Sequence, residues 1–285
     1  MPQKIQQFFL LLFLLFFLSC STVNFQNPEI ADPKESFKQS TLIYKTEDFS
    51  VIKGYDKNLS IEWEAVITEF HDTPVGADTV KLKAAPENIK ITDSGSVLSC
   101  DPADSFENND TLAVLTGSMH NPLRYSEGRE QQVIGFLRIN GKTVSQPDNK
   151  HYALGIKENC SPEVLSPSEQ HHWKDDALCG TYPILLDGTP LAMVPVRDAL
   201  SAAGWSKDGN KLIFLVIKGY KNHGYSYQEA GMLIKLLGAR NALALDGGSS
   251  AVLMWKDENG IEKFPSSALN RKLPDFLIIT KDQNK

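Results

Sequence analysis

Short runs with alternating apolar and polar residues, or with clustered β-branched residues, recur along most of the chain. They predict strands at Thr41–Lys45, Ile61–Phe70, Val80–Lys83, Ile89–Thr92, Thr111–Leu115, Val133–Ile139, Lys211–Ile217 and Phe276–Thr280. Asn140-Gly141 and Asp187-Gly188 are dipeptides of the kind that turn hairpins. Asn108-Asn109-Asp110 and the Pro/Ser-rich stretch Ser161–Ser168 read as surface loops. Strong helical periodicity occurs once, from Ser226 to Leu237. There Ala230, Leu233, Ile234 and Leu237 share a face, and Gly238 stops the helix. A short second helix is expected at Val196–Ala203. Strands and helices do not alternate regularly, so the expected class is α+β: a mixed, strand-rich sheet with one main amphipathic helix.

Candidate chemistry gathers at the end of that helix and the strand after it. Apolar Ala242–Leu245 runs into Asp246-Gly247-Gly248-Ser249-Ser250, so a carboxylate arrives at a strand terminus. The two glycines leave room for a ligand to approach backbone N–H groups, and two hydroxyls follow. Glu229 lies in the first helical turn. Each feature also has a structural reading. Ser226-x-x-Glu229 fits a capping box, and Asp-Gly-Gly between apolar strands fits a hairpin turn.

The N-terminus bears on location. Lys4 precedes the apolar run Phe8–Leu18, too short for a span of roughly 20 residues but suited to a signal-peptide h-region. The run ends in Phe17-Leu18-Ser19-Cys20, which is similar to a bacterial lipobox with Phe17 where Leu is usual. This predicts a signal peptide over 1–19 and acylation of Cys20, tethering an exported lipoprotein of the bacterial cell envelope to a membrane it does not span. Ordinary cleavage nearby is the competing reading. Residues 20–37 read as a polar tether, 38–104 as a β-rich N-terminal region, and 105–285 as the main domain. About 240 residues follow the tether, enough for one large domain or two small ones. Whether 38–104 is a separate module or an elaboration of the same sheet stays open.

Charge and cysteines add exclusions. The formal net charge is −6 and no basic cluster occurs, which argues against nucleic acid as a partner. Export permits disulfides, and Cys160–Cys179 is the expected pair, worth roughly 3 kcal/mol on the chain-entropy model. Cys100 is then left as a buried thiol. No zinc spacing is present, and His171-His172 near Asp175-Asp176 reads as a solvated loop. No metal or other cofactor is required, although Asp246 and neighbouring oxygens would suit Ca²⁺ or Mg²⁺. Nucleophile-elbow, Walker and dinucleotide-binding motifs are missing.

Gly224, Ser226, Glu229 and the run Leu245-Asp246-Gly247-Gly248-x-Ser250 resemble the phosphodiester glycosidase family. Gly180–Gly188, Ala203-Gly204-Trp205 and Arg271-Lys-Leu-Pro274-Asp-Phe-Leu277 resemble its flanking strands, and Leu112–Lys142 does so loosely. The resemblance implies hydrolysis of the C1–O bond of a sugar-1-phosphodiester. Glu229 and Asp246 would be the catalytic carboxylates. Gly247, Gly248, Ser249, Ser250, Arg271, His223 and Arg197 would contact a sugar-phosphate or glycan substrate. With phosphate departing, a strong general acid matters less than for an alkyl glycoside. The chain departs from the pattern at Ala244, where Asn is frequent. It departs also at Leu200, where the family has Arg (Arg197 is close by), and near Thr116 and His120, where Asn and Phe fall. A non-catalytic lipoprotein using the same cleft to bind phosphoglycans is the alternative.

Overall fold

Side-chain alternation along the strands sorts the apolar residues into two layers. A computed structural model describes residues 31–69, 80–85, 89–93, 95–121, 129–159, 161–192, 196–265 and 271–281. Contacts divide the chain into Met1–Ala31, almost all of it outside the described residues, and Asp32–Lys285, which carries every element below. Helix α1 (Lys34–Lys38) precedes β1 (Thr41–Lys45), β2 (Phe49–Asp56), β3 (Ile61–Glu69), β4 (Val80–Lys83) and β5 (Val97–Leu98). A 3-10 helix, Pro102–Glu107, leads to β6 (Thr111–Thr116), β7 (Glu130–Gln131), β8 (Leu137–Ile139), β9 (Lys142–Ser145), β10 (Ala153–Ile156) and β11 (Pro162–Leu165). Then come α2 (Pro167–Gln170), β12 (Asp176–Cys179), β13 (Pro183–Leu186), β14 (Thr189–Pro190), β15 (Leu200–Trp205) and β16 (Lys211–Ile217). Helix α3 (Tyr227–Leu236), β17 (Asn241–Ala244), β18 (Leu253–Lys256), β19 (Ile261–Phe264) and β20 (Phe276–Lys281) complete the order.

An eight-stranded sheet runs β1-β2-β3-β16-β15-β17-β13-β14. Two five-stranded sheets run β11-β10-β12-β8-β9 and β19-β18-β6-β20-β4. Trp63, Ala65 and Ile67 of β3 and Ile213, Leu215 and Ile217 of β16 turn one face of the large sheet toward α3. Val66, Phe214 and Val216 turn the other face toward Leu115, Leu154, Leu178 and Leu277 of the smaller sheets. Leu233 and Ile234 of α3 are fully buried, and burial of such side chains stabilises by roughly 1.5–3 kcal/mol each.

Several expectations are corrected. The sheets are not mixed: every strand pairing among the described residues is antiparallel. Helix α3 does cross between two strands of like direction, β16 and β17. However, β15 lies between them and pairs antiparallel with both. The helix expected at Val196–Ala203 does not form: its second half begins β15, buried on both faces, which removes the alternation that reveals a strand. Its small residues suit close packing; a Cβ on Gly204 would lie 2.7 Å from Ile234 Cδ1. Ile89–Thr92 forms an isolated bridge at Ile91. Strand β2 escapes the pattern because Gly54 interrupts it where the Trp63 indole packs. Both hairpin turns do form, with positive φ at Asn140 and Gly141 and at Asp187 and Gly188.

No boundary falls near residue 105. Strand β3 pairs with β16 along its length, and β4 pairs with β20, so residues 38–104 extend the same sheets. The tether also stops short of residue 37: in α1 Ser36 is buried and accepts the Trp63 indole N–H, while Phe37 packs on the cluster beneath α3. The expected signal peptide and Cys20 lie outside the described residues. So does Cys160, and with it the expected Cys160–Cys179 bridge. Cys179 is present as a free, fully buried thiol, and burial pushes its pKa up.

Gly231 tests how tightly α3 seats. Alanine there should raise helix propensity by about 1 kcal/mol, but its Cβ would run into the Ile184 carbonyl oxygen. Overpacking of that kind costs about 1–3 kcal/mol, so Gly231→Ala is expected to destabilise, read as a lower urea midpoint.

Candidate active site

Beyond β17 the chain leaves one sheet for another. Leu245 still donates its N–H to Ser201 O at 2.9 Å, whereas Asp246 donates to Gly117 O at 3.1 Å, past the end of β6. Gly247 donates its N–H to Asp246 Oδ1 at 3.0 Å, and Gly248 donates to Ala199 O at 2.8 Å. Both amides are thus engaged within the protein. The glycines are needed for geometry. A Cβ on Gly247 would sit 2.7 Å from Ala199 O, and Gly248 has φ +56.

The turn leaves the Asp246 side chain 19% exposed. His120 Nδ1 lies 3.4 Å from Asp246 Oδ2 and 3.4 Å from Ser118 O. Both neighbours are acceptors, so Nδ1 carries the hydrogen. Arg271 reaches Ser250 Oγ at 3.3 Å. Burial raises the Asp246 pKa, and His120, the Ser250 hydroxyl, the Gly247 amide and Arg271 act against that shift. Three of the expected residues, Asp246, Ser250 and Arg271, therefore converge.

Other groups near Asp246 carried no motif. Asp275, just ahead of β20, is fully buried; burial pushes its pKa up to about 6, and the charge of Asp246 adds to the rise. An acid at the end of an apolar strand was the signal that marked Asp246, and Asp275 before Phe276–Thr280 offers the same signal. Asp198 holds the Ala199 N–H on Oδ1 at 2.8 Å, and its Oδ2 faces the side-chain position of Gly248 at 3.8 Å. Tyr227, at the start of α3, packs edge-on against Tyr182 at 6.2 Å between centroids. Its phenol pKa is raised chiefly by burial and also by the charges of Asp246 and Asp198, while a hydrogen bond with Thr181 acts the other way.

The remaining expected residues do other work. Glu229 is fully buried. Its carboxylate accepts the Ser226 N–H at 2.7 Å and pairs both oxygens with Arg197, each at 2.7 Å. It thus closes a capping box and a two-point ion pair, and both side chains are engaged within the protein. The pair instead fixes the start of α3 beside Asp198. His223 is exposed on a turn whose backbone bonds with Tyr220, and Ser249 is exposed. Leu200 and Ala244, where the family pattern has polar residues, pack in the apolar cluster beneath α3. Among the described residues no group of three or more His, Cys, Asp or Glu is arranged to hold a metal ion.

Residues 110–280, more than half of the chain, match the model of the phosphodiester glycosidase family. The chain belongs to that family. As a phosphodiester glycosidase it is a hydrolase that acts on phosphodiester glycosidic bonds. A similar fold occurs in the catalytic domain of zebrafish N-acetylglucosamine-1-phosphodiester alpha-N-acetylglucosaminidase, auto-inhibited by its pro-peptide. That match has a TM-score of 0.57 and 18% identity, over 86% of this chain and 88% of that one. A hypothetical protein from Synechocystis matches with a TM-score of 0.60 and 10% identity, over 85% of this chain and 64% of that one. At these identities the likeness is one of fold. Comparison with the curated proteins finds no match.

Within this phosphodiester glycosidase the Arg197–Glu229 pair has a measurable signature. Arg197→Ala strands a buried carboxylate and is expected to destabilise by about 3–5 kcal/mol in chemical denaturation. Removing both charges, as in Arg197→Met with Glu229→Gln, should recover much of that loss.

Proposed function

We propose that the protein is an exported, membrane-tethered glycosidase that hydrolyses the sugar C1–O bond of sugar-1-phosphodiesters in envelope glycans or glycolipids. The observation that carries this reading is the Asp246 carboxylate, mostly buried yet partly exposed, with His120, Ser250 and Arg271 all acting on it. A water approaching C1 gives its proton to Asp246 while the C1–O bond breaks and the oxygen leaves with the phosphate. Arg271 and the Ser250 hydroxyl suit the departing phosphate as charge collects on it. Tyr182 and Tyr227 offer aromatic edges to the sugar ring. The Asp246 carboxylate must be ionised to accept the proton. Its raised pKa therefore places the acid limb of activity above the usual aspartate range.

The purified protein is expected to convert a sugar-1-phosphodiester to a phosphomonoester, followed by phosphorus NMR. Asp246→Asn should slow turnover by about 10²–10⁴-fold without loss of fold. Saturable binding without turnover, weakened by the same substitution, would favour the non-catalytic phosphoglycan-binding reading. Tethering rests on the apolar run Phe8–Leu18 ending beside Cys20. Cys20→Ser is expected to move the protein from the membrane fraction to the soluble one on cell fractionation. Unchanged membrane association would count against the lipid anchor.

A further inference from the structure

Asp275 is an ionisable group that the proposed reaction does not use. It is fully buried, and its Oδ1 accepts the Ser118 backbone N–H. A Cβ on Gly117 would overlap that oxygen, so the residue between β6 and Ser118 is held against the carboxyl. Oδ2 is buried with no hydrogen-bond partner. A charged carboxylate oxygen left without a donor is strongly disfavoured in the interior; the same atom bearing a proton is far less so. Gly117 O, in turn, accepts the Asp246 N–H, so one short turn connects the two carboxyls.

The titratable and charged groups around Asp275 come from every side. Asp246, on the segment after β17, acts on Asp275 directly, whereas His120, after β6, and Arg271, on the segment of Asp275 itself, act on Asp246. The Cys179 thiol on β12 and the Cys100 thiol beside Leu273 also feel its charge. Apart from the Ser118 N–H and hydroxyl, nothing that shifts Asp275 favours its charged form, and Asp246 opposes it.

We propose that Asp275 is a positioning residue of the active site: it seats the Gly117–Ser118 turn that holds Asp246, and by carrying a proton on Oδ2 it leaves Asp246 as the one buried negative charge there. The inference rests on Asp246 being the reacting carboxylate. Once Asp275 ionises, two like charges flank Gly117, and an anionic phosphodiester meets both.

The test compares pH profiles of the unaltered protein and Asp275→Asn. The unaltered protein should lose about tenfold in kcat/KM between pH 6 and 8, mainly through KM, while Asp275→Asn should hold within about threefold. Identical profiles for the two would overturn the proposal. Stability supplies a readout independent of turnover. The folded-state pKa of Asp275, about 6, lies above the ordinary aspartate value of about 3.9. Its protonated form therefore stabilises the fold fully below about pH 4, and that contribution is lost as pH rises through about 6. The melting-temperature difference between the two proteins should change across this window and level off above it. A difference that does not vary with pH overturns the proposal whatever the activity. If neither protein turns over any diester yet the stability signature appears, the glycosidase reading falls and the protonated Asp275 stands. Should Asp275→Asn fail to fold, a carbon-13 titration of aspartate carboxyls in Asp246→Asn decides. A resonance titrating well above the ordinary range supports the proposal, and none overturns it.

Discussion

The segment from Leu245 to Leu253 must pass from the eight-stranded sheet to a five-stranded one through the interior, and its backbone polar groups have to be satisfied on the way. Buried N–H and C=O groups tolerate few vacancies. Here the Thr116 hydroxyl donates to Ser250 O at 2.6 Å and accepts the Val252 N–H at 2.9 Å. Gly117 O takes the Asp246 amide and Ala199 O takes that of Gly248. These bonds tie the crossing to the end of β6 and to the start of β15. The position of Asp246 is consequently set by two sheets at once, which keeps a reactive carboxyl from wandering.

Charge is distributed around this crossing according to burial. Asp246 stays partly exposed and has His120 and Arg271 near it, so an ionised form is supported. Asp275, behind it, has a single backbone donor to one oxygen and none to the other. Glu229 is as deeply buried as Asp275 but carries two contacts from Arg197 and the Ser226 cap, and it anchors α3 rather than facing substrate. Three acids in one region thus have three fates, decided by donors and solvent rather than by residue type. In the proposed reaction Asp246, on the crossing, is the ionised carboxylate and Arg271, on the segment before β20, is the positive charge near it.

Much of the local structure was legible along the chain. The 3.6-residue stripe of α3, the glycine that ends it, both hairpin dipeptides and the apolar strand before Asp246 follow from rules that act over a few residues. The Glu229 site shows the limit. Ser226-x-x-Glu229 announced a capping box, but only the fold brought Arg197 against it. Strand β15 shows a second limit, because burial on both faces erases the alternation by which strands are read. Asp275 sat in view before β20; its significance depends on Gly117, far away in sequence.

The amino-acid order by itself determined where strands, turns and the main helix form and which strand end carries an acid, because backbone propensity and side-chain periodicity are local. It also carried the motif by which the family is recognised. Tertiary structure decided that residues 38–104 extend the same sheets and that β15 separates two like-directed strands. It decided also that His120, Ser250 and Arg271 gather around Asp246. Those outcomes depend on long-range pairing and on which polar groups share a buried volume, and no window along the chain contains that information.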